Sequence, residues 1–386
     1  MSEPVGLLLL FFIAIGAGFY LGIRESKRRA RRRMASLSKD YVAGINFFLN
    51  DQPDKGIDTL LKGLDVGDES LETHLAIGQL FRKRGEFDRA SQLHSYLLEH
   101  GEFDRATQEK IQLELANDYL ASGIFDLAEQ VLMEMLDQGC LAKDEVTYQL
   151  MQLYEQQRDW LSAISMGERL LRQRPHLGVV LAHYCCEEAE QKKTAPESAL
   201  RLIQRALQFD DNCVRASVIE SELEMAQQRW SHAIAAIKRI WHQNPAFFDE
   251  QLTNLKACFV AEDNEDAFIA LLADISAEHP STARILLLTE ALKARDGDQA
   301  ALDFLQQYLR ANPSVKGISQ VLSLQGDGEV DDDTRAYLAS VKALSDQLVN
   351  DKPNYKCVRC GFETPLMQWR CPSCKRWGSI EPEVDR

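Results

Sequence analysis

The chain has 386 residues, 45% apolar content and a formal net charge of −15. That apolar share is ample for a buried core, while the acidity disfavours general binding to phosphate backbones. The nine cysteines lack the even, patterned spacing of a small secreted disulfide scaffold, which points to a reducing compartment.

Val5 to Ile23 is an uncharged apolar run of 19 residues. As a helix it reaches roughly 28 Å, about the hydrocarbon thickness of a bilayer. Arg24 to Arg33 follows with seven basic side chains and one acidic, leaving about −21 for the rest of the chain. A cleavable signal would place the basic residues first. Here they follow the apolar run, so residues 1–23 are expected to form a transmembrane anchor and residues 24–36 a basic juxtamembrane linker facing anionic headgroups. Lys and Arg mark the side that stays in the cytoplasm, which predicts an outward N-terminus and a cytoplasmic body.

Residues 37–350 carry a periodic pattern. GQLFRKRGEFDRASQLHSYLL from Gly78 and ANDYLASGIFDLAEQVLMEML from Ala116 share small residues, aromatics and a glycine at matching offsets. The spacing is helical on both sides of the glycine, and Asp88 or Asp126 is positioned to begin the second helix. The small residue of that helix recurs at Gly56, Ala90, Ala128, Ala163, Ala199, Ala233, Ala267 and Ala301, at intervals of 34, 38, 35, 36, 34, 34 and 34. Pro175, Pro245, Pro280 and Pro313 are expected helix stops. This pattern resembles the tetratricopeptide repeat, a helical hairpin of about 34 residues. About eight repeats run from Leu37 to Pro313, with an insertion near Lys192, Lys193 and Thr194. A capping pair from Ile318 to Val349 is split by the loop QGDGEVDDD. Such hairpins stack into a superhelix with a concave wall that binds polypeptides. By the resemblance, the first helix of each hairpin lines that wall, placing Arg82, Lys83 and Asn117 on it.

The scattered cysteines Cys140, Cys185, Cys186, Cys213 and Cys258 lie in apolar helical stretches. His183 beside Cys185 and Cys186 raises a cysteine–histidine pair, against which buried structural cysteine is much commoner. The sequence has no nucleophile elbow, phosphate loop or zinc-protease motif in a usable context, so no enzyme is expected.

Residues 351–386 hold two CxxC pairs, Cys357 with Cys360 and Cys371 with Cys374. Each pair lets two thiolates reach one ion from a tight turn. Two such turns complete a tetrahedral four-sulfur site that suits zinc or iron. Gly361 permits the twist after the first pair, and Pro372 stiffens the second. Tyr355, Phe362, Trp369 and Trp377 are expected to cover the sulfurs or to dock this segment on the last repeats. The patterns Y-x-C-x-x-C-G and W-x-C-P-x-C resemble a shortened rubredoxin. The expected class is therefore all-α, a tetratricopeptide-repeat superhelix with an N-terminal transmembrane helix and a small C-terminal rubredoxin-like metal knuckle.

Anchor, basic stop, repeats and cysteine tail together resemble the lipopolysaccharide assembly protein B family of Gram-negative bacteria along essentially the whole chain. The resemblance implies a non-enzymatic inner-membrane adaptor with an outward (periplasmic) N-terminus. It implies regulation of lipopolysaccharide biosynthesis by promoting proteolysis of the deacetylase LpxC by the membrane protease FtsH. It further implies that the chain helps gather lipopolysaccharide assembly proteins at the membrane. The ligand positions carry over as Cys357, Cys360, Cys371 and Cys374, holding one ion that the family treats as iron and that the thiolates alone leave open to zinc. A membrane-anchored redox protein is the alternative. Inner-membrane lipid is an expected partner and nucleic acid is not; homo-oligomerisation stays open.

Overall fold

The computed structural model describes residues 68–326, 332–350 and 354–383, with Phe47 and Lys55 as isolated positions. The expected anchor, the basic linker and the first repeat with Gly56 lie outside the described residues, as does most of the QGDGEVDDD loop. Among the described residues no helix is long and apolar enough to cross a membrane.

The chain divides into two compact units between Leu153 and Tyr154. The first contains α1 (Asp68–Lys83), α2 (Phe87–His100), α3 (Arg105–Ser122), α4 (Phe125–Asp137) and most of α5 (Lys143–Gln157). Each of α1 to α3 packs on the next. Leu71, Leu75, Leu97, Phe103 and Ile111 form one apolar cluster there, and Phe81, Ala90 and Leu93 another. Gly85 and Gly123 take left-handed φ of 81° and 78°, a backbone that lets each hairpin reverse at little steric cost. The second helices begin at Phe87 and Phe125, one residue ahead of the expected Asp88 and Asp126, and neither has a side-chain cap. Those aspartates sit in the first turn instead, where the helix dipole favours an anion. A true cap opens α3, where Asp104 accepts from the Thr107 amide at 2.9 Å.

Arg82 is not free on the wall. Its guanidinium bonds Glu114 Oε2 and Asp118 Oδ1, both at 2.6 Å, so it ties the first helix of one hairpin to that of the next. Lys83 is exposed and Asn117 half-buried. Asp118 also meets His94 Nδ1 at 2.5 Å, and both side chains are fully buried. His94 lies directly under Gly78, where a methyl would stand 2.3 Å from Nε2. The bond to Asp118 keeps the ring from moving aside. Gly78→Ala is therefore expected to destabilise this unit by about 2 kcal/mol despite the better helix propensity of alanine. Thermal unfolding followed by circular dichroism measures this, and an unchanged melting temperature would contradict the packing.

The second unit continues with α6 (Trp160–Leu170), α7 (Leu177–Gln191), α8 (Pro196–Phe209), α9 (Val214–Ala226) and α10 (Trp230–Gln243). Then come α11 (Pro245–Phe248), a 3₁₀ turn (Asp249–Gln251), α12 (Leu252–Ala261), α13 (Glu265–Glu278), α14 (Thr282–Asp296) and α15 (Asp298–Ala311). The pair α16 (Val315–Gly326) and α17 (Asp332–Asn350) closes the helical part. These helices pair as sequential hairpins, a tetratricopeptide-like arrangement. Pro175, Pro280 and Pro313 fall between helices and Pro245 opens one. Near the insertion, α7 ends at Gln191 and α8 starts at Pro196, so residues 192–195 simply form the link.

Ala90, Ala128, Ala163, Ala199, Ala233 and Ala301 are each fully buried in the second helix of a hairpin. The seventh hairpin departs. Its second helix starts at Glu265, so the equivalent inward position is Phe268, which is buried, whereas Ala267 is half-buried. A phenylalanine there means the two helices close around a ring instead of a methyl. The left-handed turn before the second helix is also kept without glycine, by Arg158, Gln228 and Asp263 at φ of 59°, 59° and 54°.

After α17, a three-stranded antiparallel sheet holds β1 (Tyr355–Cys357), β2 (Glu363–Thr364) and β3 (Ile380–Pro382) in the order β2-β1-β3. This small sheet belongs to the second unit.

Candidate metal centre

Two backbone turns build the site, and they repeat each other. The Cys357 amide donates to the Phe362 carbonyl at 2.8 Å, and the Gly361 amide donates back to the Cys357 carbonyl at 2.9 Å. In the second turn the Cys371 amide donates to the Arg376 carbonyl and the Lys375 amide to the Cys371 carbonyl, both at 2.9 Å. The fifth residue of each turn is left-handed, Gly361 at φ 76° and Lys375 at 60°. Gly361 meets its expected role. Lys375 does the same without the freedom of glycine, which the sequence did not signal.

The turns bring Cys357, Cys360, Cys371 and Cys374 together, with all four sulfurs within 4.8 Å of one another. Cys357 Sγ lies 3.8 Å from Cys374 Sγ, and Cys360 Sγ lies 3.6 Å from Cys371 Sγ. A tetrahedral ion with metal–sulfur bonds of 2.3 Å requires sulfur separations of about 3.8 Å. A disulfide needs about 2.05 Å, and all four cysteines are free. The donor set therefore fits a tetrathiolate ion, with no fifth side chain required. Burial pushes both inner thiols up. At Cys357 it is outweighed by hydrogen bonding with Ser379 and by the amides of Cys360 and Arg359, and the thiol ends below its ordinary range. At Cys371 burial prevails over the amides of Cys374 and Ser373. Cys357 and Cys371 are buried, Cys374 is half-buried and Cys360 is exposed.

The only fully buried side chains of the knuckle's apolar cluster are Cys357, Cys371 and Ile380, with Tyr355, Phe362 and Met367 packed around them. About thirty residues with so small a core do not fold alone. A structural ion bound by four thiolates contributes on the order of 10 kcal/mol or more.

Tyr355 and Phe362 cover the sulfurs, but the two tryptophans face elsewhere. Trp377 stacks on His183 of α7, ring centroids 5.3 Å apart, and meets Trp160 and Tyr184 edge-on at 6.4 and 6.0 Å. Its indole donates to Glu155 Oε1 of α5 at 2.9 Å, and Arg370 reaches the same oxygen at 3.2 Å. Trp369 stacks on Phe247 of α11 at 5.5 Å, and the Arg215 guanidinium of α9 lies over the Trp369 ring at 5.9 Å. Asn244 donates to Glu381 at 3.2 Å. Tyr355 is pushed up to about 12, first by burial and then by its hydrogen bond to Glu250. The knuckle thus seats on α5, α7, α9 and α11, the first helices of successive hairpins. The sequence left these aromatics either to cover the sulfurs or to dock on the last repeats; Tyr355 and Phe362 do the first, and Trp369 and Trp377 dock on the fourth to seventh hairpins. What the knuckle meets there is an aromatic and acidic surface made by His183, Tyr184, Phe247 and Glu155.

His183 is consequently part of this seat and not of a nucleophilic pair. Burial pushes Cys185 up to about 12 and Cys186 well above its ordinary range, so both stay as thiols. Burial, then the charge of Arg215, lowers His183 to about 3. Its Nδ1 has no hydrogen-bond partner among the described residues. Released from the seat, the imidazole titrates near its ordinary value of about 6.5. The unseated form therefore binds the extra proton, so the seat holds fully above about pH 6.5 and weakens as pH falls toward 3. In melting temperatures measured from pH 8 to 4, His183→Phe is expected to flatten this decline. An identical decline in both proteins would remove His183 as its source.

The family described as "Rubredoxin metal binding domain" matches residues 355–382. Lipopolysaccharide assembly protein B of Escherichia coli K12 is 29% identical over 379 residues, covering 97% of each chain. The protein of that name from Haemophilus influenzae KW20 is 30% identical over 388 residues, again covering 97% of each. Among solved structures, a tetratricopeptide repeat protein from Parabacteroides merdae is 12% identical, with a TM-score of 0.34, covering 71% of this chain and 99% of that one. With near-complete coverage at this identity, and with the cysteine knuckle at the place of the matched domain, the chain belongs to the lipopolysaccharide assembly protein B family.

Proposed function

We propose that the chain is an inner-membrane adaptor in lipopolysaccharide assembly, with residues 1–23 as a single-pass anchor and the bulk of the chain in the cytoplasm. It promotes FtsH-dependent proteolysis of LpxC by presenting the soluble deacetylase to the membrane protease, and it gathers other assembly proteins. The observation that carries this reading is the match over 97% of both chains to proteins named for lipopolysaccharide assembly. A membrane anchor raises the local concentration of the helical body near membrane-bound partners, so even weak contacts act. Cys357, Cys360, Cys371 and Cys374 hold one iron or zinc ion. Four protein ligands leave no position open for substrate, which favours a structural role. Capture of the full chain from native membranes is expected to bring down both FtsH and LpxC. Recovery of neither under conditions that retain the membrane would overturn the reading.

The exposure of Cys360 favours one second reading, a membrane-anchored rubredoxin-like redox protein, since electron exchange needs a sulfur edge near the surface. Metal analysis with an absorption spectrum separates the two. A colourless protein containing only zinc excludes the redox reading, whereas a reversible iron couple would support it.

A further inference from the structure

The knuckle is the only described segment outside the helices that reaches α5, α7, α9 and α11 together, and the way it does so resembles a ligand. Two bulky rings fill two places, Trp377 against His183, Tyr184 and Trp160, and Trp369 against Phe247. One cation, Arg370, meets Glu155 at 3.2 Å. Buried aromatics and arginine are the side chains that dominate binding between polypeptides. The surface beneath is tightly fitted. A methyl added to Gly378 would stand 2.9 Å from His183 Nε2. The segment making these contacts is short, and its shape is set by the Cys371 and Cys374 turn and by the isolated bridge between Arg370 and Trp377.

We propose that this first-helix wall is a polypeptide-binding surface which the chain's own knuckle occupies, and that loss of the metal vacates it. The partner it then takes is a basic protein segment folded on a tight turn, carrying two large aromatic side chains with an arginine beside one of them. The chemistry follows from the occupant already present. The wall supplies aromatic faces at His183, Tyr184 and Phe247 and carboxylates at Glu155 and Glu250. The metal enters because it supplies most of the knuckle's folding energy, whereas the helices have their own apolar core, in which Ile237, Ile240, Phe248, Leu255 and Leu272 are buried. Without the ion, the knuckle loses its shape and its grip while the helices persist. The proposal rests on the adaptor reading only in treating this wall as a client-binding face.

The test uses the full chain in detergent, metal-loaded and metal-free, with a fluorescent synthetic peptide of residues 366–379 in which positions 371 and 374 are joined by a covalent thioether link, so that the turn keeps its shape without an ion. The metal-free chain is expected to bind this peptide at least tenfold more tightly than the loaded chain, with helical circular dichroism retained. Alanine at both tryptophan positions of the peptide is expected to abolish the binding. A second variant, Trp377→Ala, keeps all four cysteines and removes the ring that stacks on His183. It is expected to retain the metal and yet bind the peptide as the metal-free chain does. Equal binding by loaded and metal-free chains, no binding by either the metal-free chain or Trp377→Ala, or loss of helix together with the metal would each overturn the proposal. No FtsH or LpxC is present in this assay, so its outcome is independent of the partner capture.

Discussion

Cys371→Ser is expected to lower metal content to well below one ion per chain and to unfold residues 354–383. Cys371 is fully buried, its sulfur is 3.6 Å from that of Cys360, and its amide and carbonyl hold the second turn. A hydroxyl there is a poor ligand at a vertex that water cannot reach. Most of the ~10 kcal/mol supplied by a structural tetrathiolate ion is therefore forfeited. Cys357→Ser is expected to behave alike, since that sulfur is buried too. Cys360→Ser is expected to be milder, because its vertex is exposed and water can fill a fourth position around such an ion. Metal analysis of the three purified variants, with heteronuclear spectra of the knuckle amides, gives the order directly. Equal loss in all three would show that burial of the vertex is not what matters.

Trp377→Ala is expected to loosen the seat while leaving the metal in place. The indole lies against His183, Tyr184 and Trp160 and donates to Glu155. Truncating a packed tryptophan costs about 3–5 kcal/mol. That is a large share of the few kilocalories that hold a small module on a larger one. Trp377→Phe keeps the stacking and removes only the donor to Glu155, so it should cost about 1 kcal/mol. Hydrogen exchange of the knuckle amides and of α7 measures both, with the alanine variant faster by two or more orders of magnitude. Unchanged protection in Trp377→Ala would mean that the tryptophan is not an anchor of the seat.

The helical hairpins were legible because burial acts locally. An alanine at the tight crossing of two helices recurs at nearly constant spacing, and the same alanines are fully buried from Ala90 to Ala233. The seventh hairpin slipped by one position because Ala267 stands beside Phe268, and only the observed start of α13 at Glu265 decides which faces in. The knuckle was legible for the same local reason: two CxxC turns need nothing distant to bring their sulfurs together. Its seat was not. Trp377 and Glu155 are 222 residues apart, and no periodicity announces a pairing at that range. The partners of Arg82 were hidden for a related reason. As an exposed-looking cation on a first helix it resembles a client contact, yet Glu114 and Asp118 one hairpin further on already hold it. The left-handed Arg158, Gln228 and Asp263 escaped notice because the turn is imposed by the hairpin and merely tolerated by those residues.

The adaptor account stands most directly on the anchor. In cells of a Gram-negative bacterium depleted of its own assembly protein B, the full chain at native abundance is expected to restore rapid turnover of LpxC. The same chain lacking residues 1–23 is expected to leave LpxC several-fold longer-lived although its helical body remains folded. Equal LpxC half-lives with and without residues 1–23 would contradict the claim that tethering is how this protein works.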